Sequence, residues 1–345
     1  MTQESPALRL QFDSDFQRVL PFTLQPVPVV GDISPAEFRR EFQLPGRPVV
    51  LDREMQSWAA VERWKDPSRL VDLTAPERVV FCRQRADPGR SYSEEYVPLK
   101  FGQLISEVFD APYTNHYLTQ GLIFRARGFN RLLARLRFPA FLEELAADCA
   151  MPGVIDPELL HQGVLWLGSG GQITPLHFDE QENLNGTVRG RKRWLLFPRA
   201  EARNLLLPGH DGRGSILSSL EMLTQDGVWH GGSVKSAFYC ETAPGQMLYL
   251  PAGYLHQVYS SSEPNIAVNF WYIDPSNVRL AARVLNARAT RHRGFHEPLR
   301  LAAQIAVMMG ALTPLRLGYA LRRGAIAEPA YELGPTGYET TVRGV

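Results

Sequence analysis

The sequence is short of cysteine and of lysine, has no excess of charge of either sign, and contains no long uninterrupted apolar run. Its three cysteines, Cys82, Cys149 and Cys240, are widely spaced and odd in number. A disulfide framework or a zinc site does not use such a pattern, so buried or half-buried thiols are expected. A formal net charge of +1 sets up no global field toward nucleic acid or an anionic membrane. The most apolar late stretch, 301–321, is interrupted by Gln304, Pro314 and Arg316. A spanning helix needs about 20 mostly apolar residues, and an internal arginine and proline argue against one. The first residues carry acids and no apolar run, unlike a secretory signal. These absences predict a cytoplasmic protein with no membrane span. Of 37 basic residues only Lys65, Lys100, Lys192 and Lys235 are lysines. That bias is typical of a GC-rich genome, so a bacterial source is expected.

What is present suits a globular chain. A hydrophobic share of 44% is enough for a core, and 345 residues fit one large domain or two. Residues 1–30 read as an N-terminal arm. An α/β portion is expected over 31–162. There Ser34-Pro35-Ala36-Glu37 is a capping box with proline at the first helical position. Phe38 and Phe42 follow on one helical face, and Arg47–Leu51, Val79–Arg83 and His116–Leu118 read as strands. Trp58 and Trp64 are expected to be anchoring aromatics. Phe101, Leu104, Ile105, Val108 and Phe109 predict an amphipathic helix over 100–109. Leucines at 132, 133, 136, 142 and 145 suggest helix over 130–149, broken near Pro139.

From about residue 163 the period changes from 3.6 to 2. Short apolar segments recur from Val164 to Ile273, separated by Gly, Pro or Ser. About eight such strands predict a double-sheet jelly roll over 163–274. Asn183–Val188 and Arg193–Phe197 flank Arg189-Gly190-Arg191-Lys192 and read as a hairpin. Residues 201–236 read as a loop-like insert, with His210 and His230 taken as surface residues. Over 275–345 the period returns to helical, which predicts a C-terminal extension that packs on the barrel or forms a homodimer interface. Between 276 and 324 Glu297 is the only carboxylate among many arginines. With no interleaved aromatic platform for bases, a nucleic-acid partner is disfavoured.

The chemistry centres on His177-Phe178-Asp179. Residues two apart on a strand share a face, here the barrel interior. A buried aspartate needs a partner, and a metal cation supplies one. A second histidine, His256, follows the turn Pro251-Ala252-Gly253. Two histidines and one carboxylate without a fourth protein ligand make the facial set that holds Fe(II) with positions open. For the His-x-Asp pair alone, a metal-free hydrogen bond is the stronger reading.

The surrounding text shifts that balance. ITPLHFDEQENLNGTVRGRKRWLLFP, APGQMLYLPAGYLHQVYS and NIAVNFWY, in that order, resemble the JmjC-type, cupin-like 2-oxoglutarate oxygenases, in particular the asparaginyl hydroxylase branch. The likeness is strong over about 160–273 and weaker before it. It implies a mainly β fold with α additions: a cupin-like double-stranded β-helix core, an N-terminal α/β portion and C-terminal helices. It also implies Fe(II) held by His177, Asp179 and His256, with 2-oxoglutarate and O2 as cosubstrates. Lys192 would pair with the distal carboxylate of 2-oxoglutarate. Thr174, and Tyr117 on a shorter match, would hydrogen-bond that carboxylate. Asn183 and Asn269 would lie near its metal-binding end. Lysine is a compact point charge that fits a narrow barrel better than a forked guanidinium. The run Tyr254-Leu255-His256-Gln257 departs from the family, which often places aromatics and another histidine there.

The implied activity is hydroxylation of an unactivated C–H in a peptide, amino-acid or natural-product substrate, with release of succinate and CO2. N-demethylation by the same chemistry is an alternative. A non-oxygenase metal-binding cupin is another, and Glu180 and Glu182 keep open a site of different ligands.

Overall fold

The computed structural model describes residues 20–84, 96–110, 116–127, 130–136, 154, 160–179, 181–198, 201, 205, 233–272 and the strands 331–333 and 340–342. In chain order the first elements are β1 (Leu24–Pro26), β2 (Val29–Val30), α1 (Pro35–Phe38), β3 (Val49–Leu51), α2 (Ala59–Arg63) and α3 (Pro67–Asp72). Then come β4 (Val79–Gln84), β5 (Tyr96–Lys100), α4 (Phe101–Asp110), β6 (His116–Arg127) and β7 (Asn130–Leu136). The core strands are β8 (Leu160–Gly168), β9 (Ile173–Phe178), β10 (Glu182–Arg189), β11 (Lys192–Phe197), β12 (Ala237–Thr242), β13 (Met247–Leu250), β14 (Leu255–Ser260) and β15 (Asn265–Tyr272). A separate antiparallel pair, β16 (Tyr331–Leu333) and β17 (Thr340–Val342), lies near the C-terminus.

These eight core strands split into two facing antiparallel sets. One runs β13-β10-β15-β8, the other β12-β11-β14-β9. Successive strands alternate between the sets except β11 and β12, which pair with each other in one sheet, and this is the double-stranded β-helix arrangement. The fold is therefore mainly β with short helices added, as the sequence suggested. The first sheet continues outward through β3 and β2 on one side and β6, β4 and β5 on the other. The end of the N-terminal arm is not loose: β1 pairs in parallel with β12, and β2 with β3.

Burial follows the period-2 pattern. Leu165, Leu167, Leu184, Val268 and Phe270 point away from the barrel and pack under the helical layer with Phe38, Trp64, Phe101 and Leu104. Trp58 and Trp64 are both buried there, as anchoring aromatics. Phe38 meets Tyr249 edge to face, ring centroids 4.9 Å apart. The opposite sheet is covered by Leu20 and Leu24 over Leu176, Leu195 and Phe197. Between the sheets lies a third cluster, including Trp194, Leu196, Leu248, Leu250 and Val258.

Two local expectations are corrected. The segment Arg189–Lys192 is not a hairpin turn: β10 pairs with β13 and β15, whereas β11 pairs with β12 and β14. The turn, with Gly190 at φ 73°, carries the chain from one sheet to the other. A hairpin and a sheet-to-sheet corner share the same strand–turn–strand pattern, so local signals do not separate them. The backbone of 130–136 is strand β7 paired with β6, in place of helix. Leu132 and Leu136 are four apart, a spacing that fits both a helical turn and an alternating strand. The rest of 130–149, and His210, His230 and Cys149, lie outside the described residues. Of the helical extension expected over 275–345 only 331–333 and 340–342 are described, and they are the paired strands β16 and β17 in place of helix. No described helix is long and apolar enough to cross a membrane.

Candidate metal centre

Strand register brings the predicted residues to one face. His256 pairs with His177, and Val258 with Thr174, across β14 and β9. Between these pairs β9 carries one residue more than β14. Pro175, which has no N–H to donate, sits in that irregularity. The bulge lets Thr174 and His177, three residues apart, both face inward. A regular strand would put them on opposite faces. Lys192 pairs with Ser260 and Leu196 with His256, with no shift between. Lys192 and His256 therefore share the inward face.

Ligand atoms of His177, Asp179 and His256 lie within 4.8 Å of one another, the one such group among the described residues. Each histidine is held by the carbonyl two residues before it. His177 Nδ1 is 2.9 Å from the Pro175 carbonyl oxygen, and His256 Nδ1 is 3.0 Å from that of Tyr254. A carbonyl only accepts, so Nδ1 carries the proton and Nε2 keeps its lone pair for a metal. Burial, then the neighbouring His177, pushes His256 down to about 3. It is therefore a neutral imidazole, the form that ligates. This donor set fits Fe(II): two imidazole nitrogens, one carboxylate and no thiolate.

Asp179 is oriented by two donors on the opposite sheet. Asn183 Nδ2 donates to its Oδ2 at 2.6 Å, and Trp271 Nε1 donates to the same oxygen at 3.1 Å. Asn269 Nδ2 in turn donates to Asn183 Oδ1 at 2.9 Å, and Asn185 Nδ2 donates to Asn269 Oδ1. Asn183 and Asn269 thus act on the aspartate that would hold the metal. Trp271 and Asn185 were missed in the sequence; each lies two residues from a predicted site residue on the same strand, so period 2 could have found them.

The turn that presents His256 is clamped from below. Gly253 N–H donates to the Asp179 carbonyl at 2.7 Å. The buried Glu182 carboxylate accepts from Tyr249 Oη at 2.7 Å and from Ala252 N–H at 3.1 Å through Oε2. Glu182 is therefore occupied as a structural clamp and stands outside the metal group. Glu180 lies outside the described residues.

Lys192 is 4% exposed. Among the described residues its Nζ meets the Ser260 hydroxyl at 3.5 Å and no carboxylate. Burial alone pushes its pKa down to about 8. A buried ammonium with so little compensation is a site for an anion. Behind it the barrel is closed by Trp194 Nε1 donating to Thr242 Oγ1 at 3.2 Å, and by Thr242 and Thr187 hydroxyls 2.8 Å apart. Thr174 is half-buried, between the histidines and the Lys192 end. Tyr117 is buried on β6 opposite Gly168, its ring 6.0 Å from that of Trp166. Cys82 and Cys240 are buried free thiols and are not part of the triad group.

Comparison with known proteins agrees with this geometry. The family model for the cupin-like domain matches residues 35–277. The chain is 25% identical over 266 residues to the human bifunctional peptidase and (3S)-lysyl hydroxylase JMJD7, covering 69% of this chain and 81% of that protein. It is 25% identical over 258 residues to Jumonji C domain-containing protein 5 of Drosophila melanogaster, covering 71% and 59%. It is 24% identical over 250 residues to lysine-specific demethylase 8 of Xenopus tropicalis, covering 68% and 50%. The chain thus spans only half to three fifths of the last two. With the two-sheet barrel, the inward triad and the family match over most of its length, this chain belongs to the JmjC-type cupin-like domain family, whose members are typically 2-oxoglutarate-dependent oxygenases.

Proposed function

We propose that this protein is an Fe(II)- and 2-oxoglutarate-dependent dioxygenase that hydroxylates an unactivated C–H of a peptide, amino-acid or natural-product substrate. The observation that carries the reading is the pairing, on one inward face, of the His177–Asp179–His256 group with the buried ammonium of Lys192. Iron, when bound, would let O2 act as the oxidant: two electrons would come from 2-oxoglutarate and two from the substrate C–H, with one oxygen atom passing to the product hydroxyl and the other to succinate as CO2 is released.

The chain's own residues bind and orient. His177 and His256 offer Nε2, and Asp179 offers the oxygen not taken by Asn183 and Trp271. Lys192 on β11 pairs with Ser260, which lies four residues along β14 from His256, about 13 Å at the usual rise per residue. A five-carbon diacid together with the lysine stem suits that separation, with its distal carboxylate at Nζ. Thr174 faces the space between. The buried walls keep competing water from the reacting centre. The similar proteins are named for hydroxylation and for demethylation of lysine. Oxidation of an N-methyl group at the same centre is accordingly the second reading.

The test is anaerobic. Fe(II) is added to metal-free protein, then 2-oxoglutarate, and the visible spectrum is recorded beside Asp179→Ala and Lys192→Ala. A charge-transfer band in the wild type, lost or weakened in both variants, is expected. Iron binding without a band would overturn the oxygenase reading. Screening peptides and amino acids for succinate release, with product mass +16 or −14, then separates hydroxylation from demethylation.

A further inference from the structure

One buried polar group near Lys192 is unused by the triad and by the amide chain. Gln172 is 1% exposed. Among the described residues neither its Nε2 nor its Oε1 has a hydrogen-bond partner. Leaving both ends of a buried amide unmatched is costly, because each lost its water on folding. Such a group at a ligand site is a place where a ligand completes the bonding.

Its position follows from register and from one glycine. Gly168 pairs with Tyr117 on one side and Asn265 on the other. From Asn265 to Asn269 the β15–β8 register runs without a shift, so Gly168 shares the face of Val164 and Asn269, the face of the barrel interior. A Cβ on Gly168 would lie 2.3 Å from Gln172 Nε2 and 2.8 Å from Tyr117 Cδ2. The amide therefore occupies the space inside the barrel where that methyl would be, beside the Tyr117 ring.

The backbone around Gln172 is tied to the Lys192 end. Ser260 N–H donates to the Gln172 carbonyl at 2.8 Å, and Ser260 carries the hydroxyl that Lys192 Nζ meets. Gly171 N–H donates to the Ser261 carbonyl at 2.8 Å, and Ser261 N–H to the Arg191 carbonyl at 2.9 Å. Three segments, 169–172, 191–192 and 260–261, are thus laced together where the lysine is buried.

We propose that the Gln172 side-chain amide is a cosubstrate-positioning group: its Nε2 donates to the same distal carboxylate that Lys192 pairs with, and Gly168 is glycine to leave room for it. This rests on the 2-oxoglutarate reading above and adds a neutral donor to the lysine's charge. A fixed amide beside a flexible ammonium sets the orientation of a planar carboxylate, which a point charge alone does not.

The test uses Gln172→Met, close in volume and without polar atoms, and Gln172→Glu. Binding to Fe(II)-loaded protein is measured by calorimetry without oxygen, using 2-oxoglutarate and then 2-oxobutanoate, which lacks the distal carboxylate. Both variants should bind Fe(II) as the wild type does. Gln172→Met should raise the Kd for 2-oxoglutarate about 10-fold or more, the usual scale for a hydrogen bond to a charged group. Gln172→Glu should raise it further by repulsion. The weaker affinity for 2-oxobutanoate should stay within about twofold in every variant, since no distal carboxylate is there to lose its donor. Ligand-free Gln172→Met should melt at or above the wild-type temperature, because an uncompensated amide has been removed. Unchanged 2-oxoglutarate affinity, or a lower melting temperature in that variant, would overturn the inference while leaving the oxygenase reading intact. Wild-type Fe(II) protein that binds no 2-oxoglutarate would overturn both.

Discussion

Asn183 and Asp179 stand on opposite sheets, and the amide of one donates to the carboxylate of the other at 2.6 Å. Asp179 follows β9 and Asn183 lies on β10, so the bond ties the two halves of the barrel at the metal. Asn183 is itself held by Asn269, and that residue by Asn185. Outer partners of this kind commonly affect metal affinity by about 10- to 100-fold. Asn183→Ala should therefore bind Fe(II) in that range more weakly while keeping the fold, measured by anaerobic metal titration. An affinity equal to wild type would show that the amide does not orient the ligand.

Asp179→Ala removes the one carboxylate of the group. Metal content after iron loading and gel filtration should fall to background, and succinate formation with it. Retained stoichiometric iron would move the site elsewhere.

Lys192 gives a pH dependence with a definite sign. Its pKa is pushed down to about 8 by burial from an ordinary 10.5. Between those values the unfolded chain holds more protons than the folded one, so stability rises with pH across that window. Below about 8 the penalty for burying the charge is complete, on the order of 3 kcal/mol. Urea midpoints of ligand-free protein should rise from pH 7.5 to 10, and Lys192→Met should flatten that rise. The affinity for 2-oxoglutarate should move the other way, its Kd rising above about pH 8 as the ammonium loses its proton.

Tyr249 links the outer helical layer to the site. Its ring packs on Phe38 and its hydroxyl donates to Glu182, which holds the Ala252 N–H in the turn before His256. Tyr249→Phe keeps the ring and removes one donor to a buried carboxylate. A loss of about 1–3 kcal/mol in chemical denaturation is expected. Weaker iron binding should accompany it, because the turn loses a support. No change in either would show the hydroxyl bond to be dispensable.

The two described thiols, Cys82 and Cys240, should be inert in the folded state. Burial, with the nearby Glu107 adding to it, pushes Cys82 up to about 12, and burial with Glu241 raises Cys240 as well. A thiolate is the reactive form. Peptide mass mapping after brief alkylation at pH 7.5 should find both unmodified, and both labelled in denaturant.

Much of the barrel was legible because short segments rich in apolar and β-branched residues, bounded by Gly, Pro or Ser, signal strands within about six or seven positions. Val164–Leu167 and Ile266–Tyr272 are such nearly unbroken apolar runs, and Ile173–Phe178 is a mixed run after a glycine-rich turn. The 130–136 segment did not, since its leucine spacing fits two periods at once. Site chemistry was legible wherever a rare residue type stood in an ordered motif: His177 and Asp179 two apart, His256 after a Pro-Ala-Gly turn, and a lysine in an arginine-rich chain.

The order of the chain by itself determined the strand periods, the capping box at Ser34, and which side chains were candidate ligands, because these depend on neighbours a few positions away. Only the tertiary structure decided which sheet each strand joined, since pairing partners such as His256 and His177 lie 79 positions apart in sequence. It also decided the bulge at Pro175 that turns Thr174 and His177 inward together, and the cross-sheet bond from Asn183 to Asp179. Gln172 belongs to that second group. Nothing in Gly-Gly-Gln-Ile marks the amide, and its burial inside the barrel with no partner among the described residues arises only when Gly168, Tyr117 and Ser260 close around it.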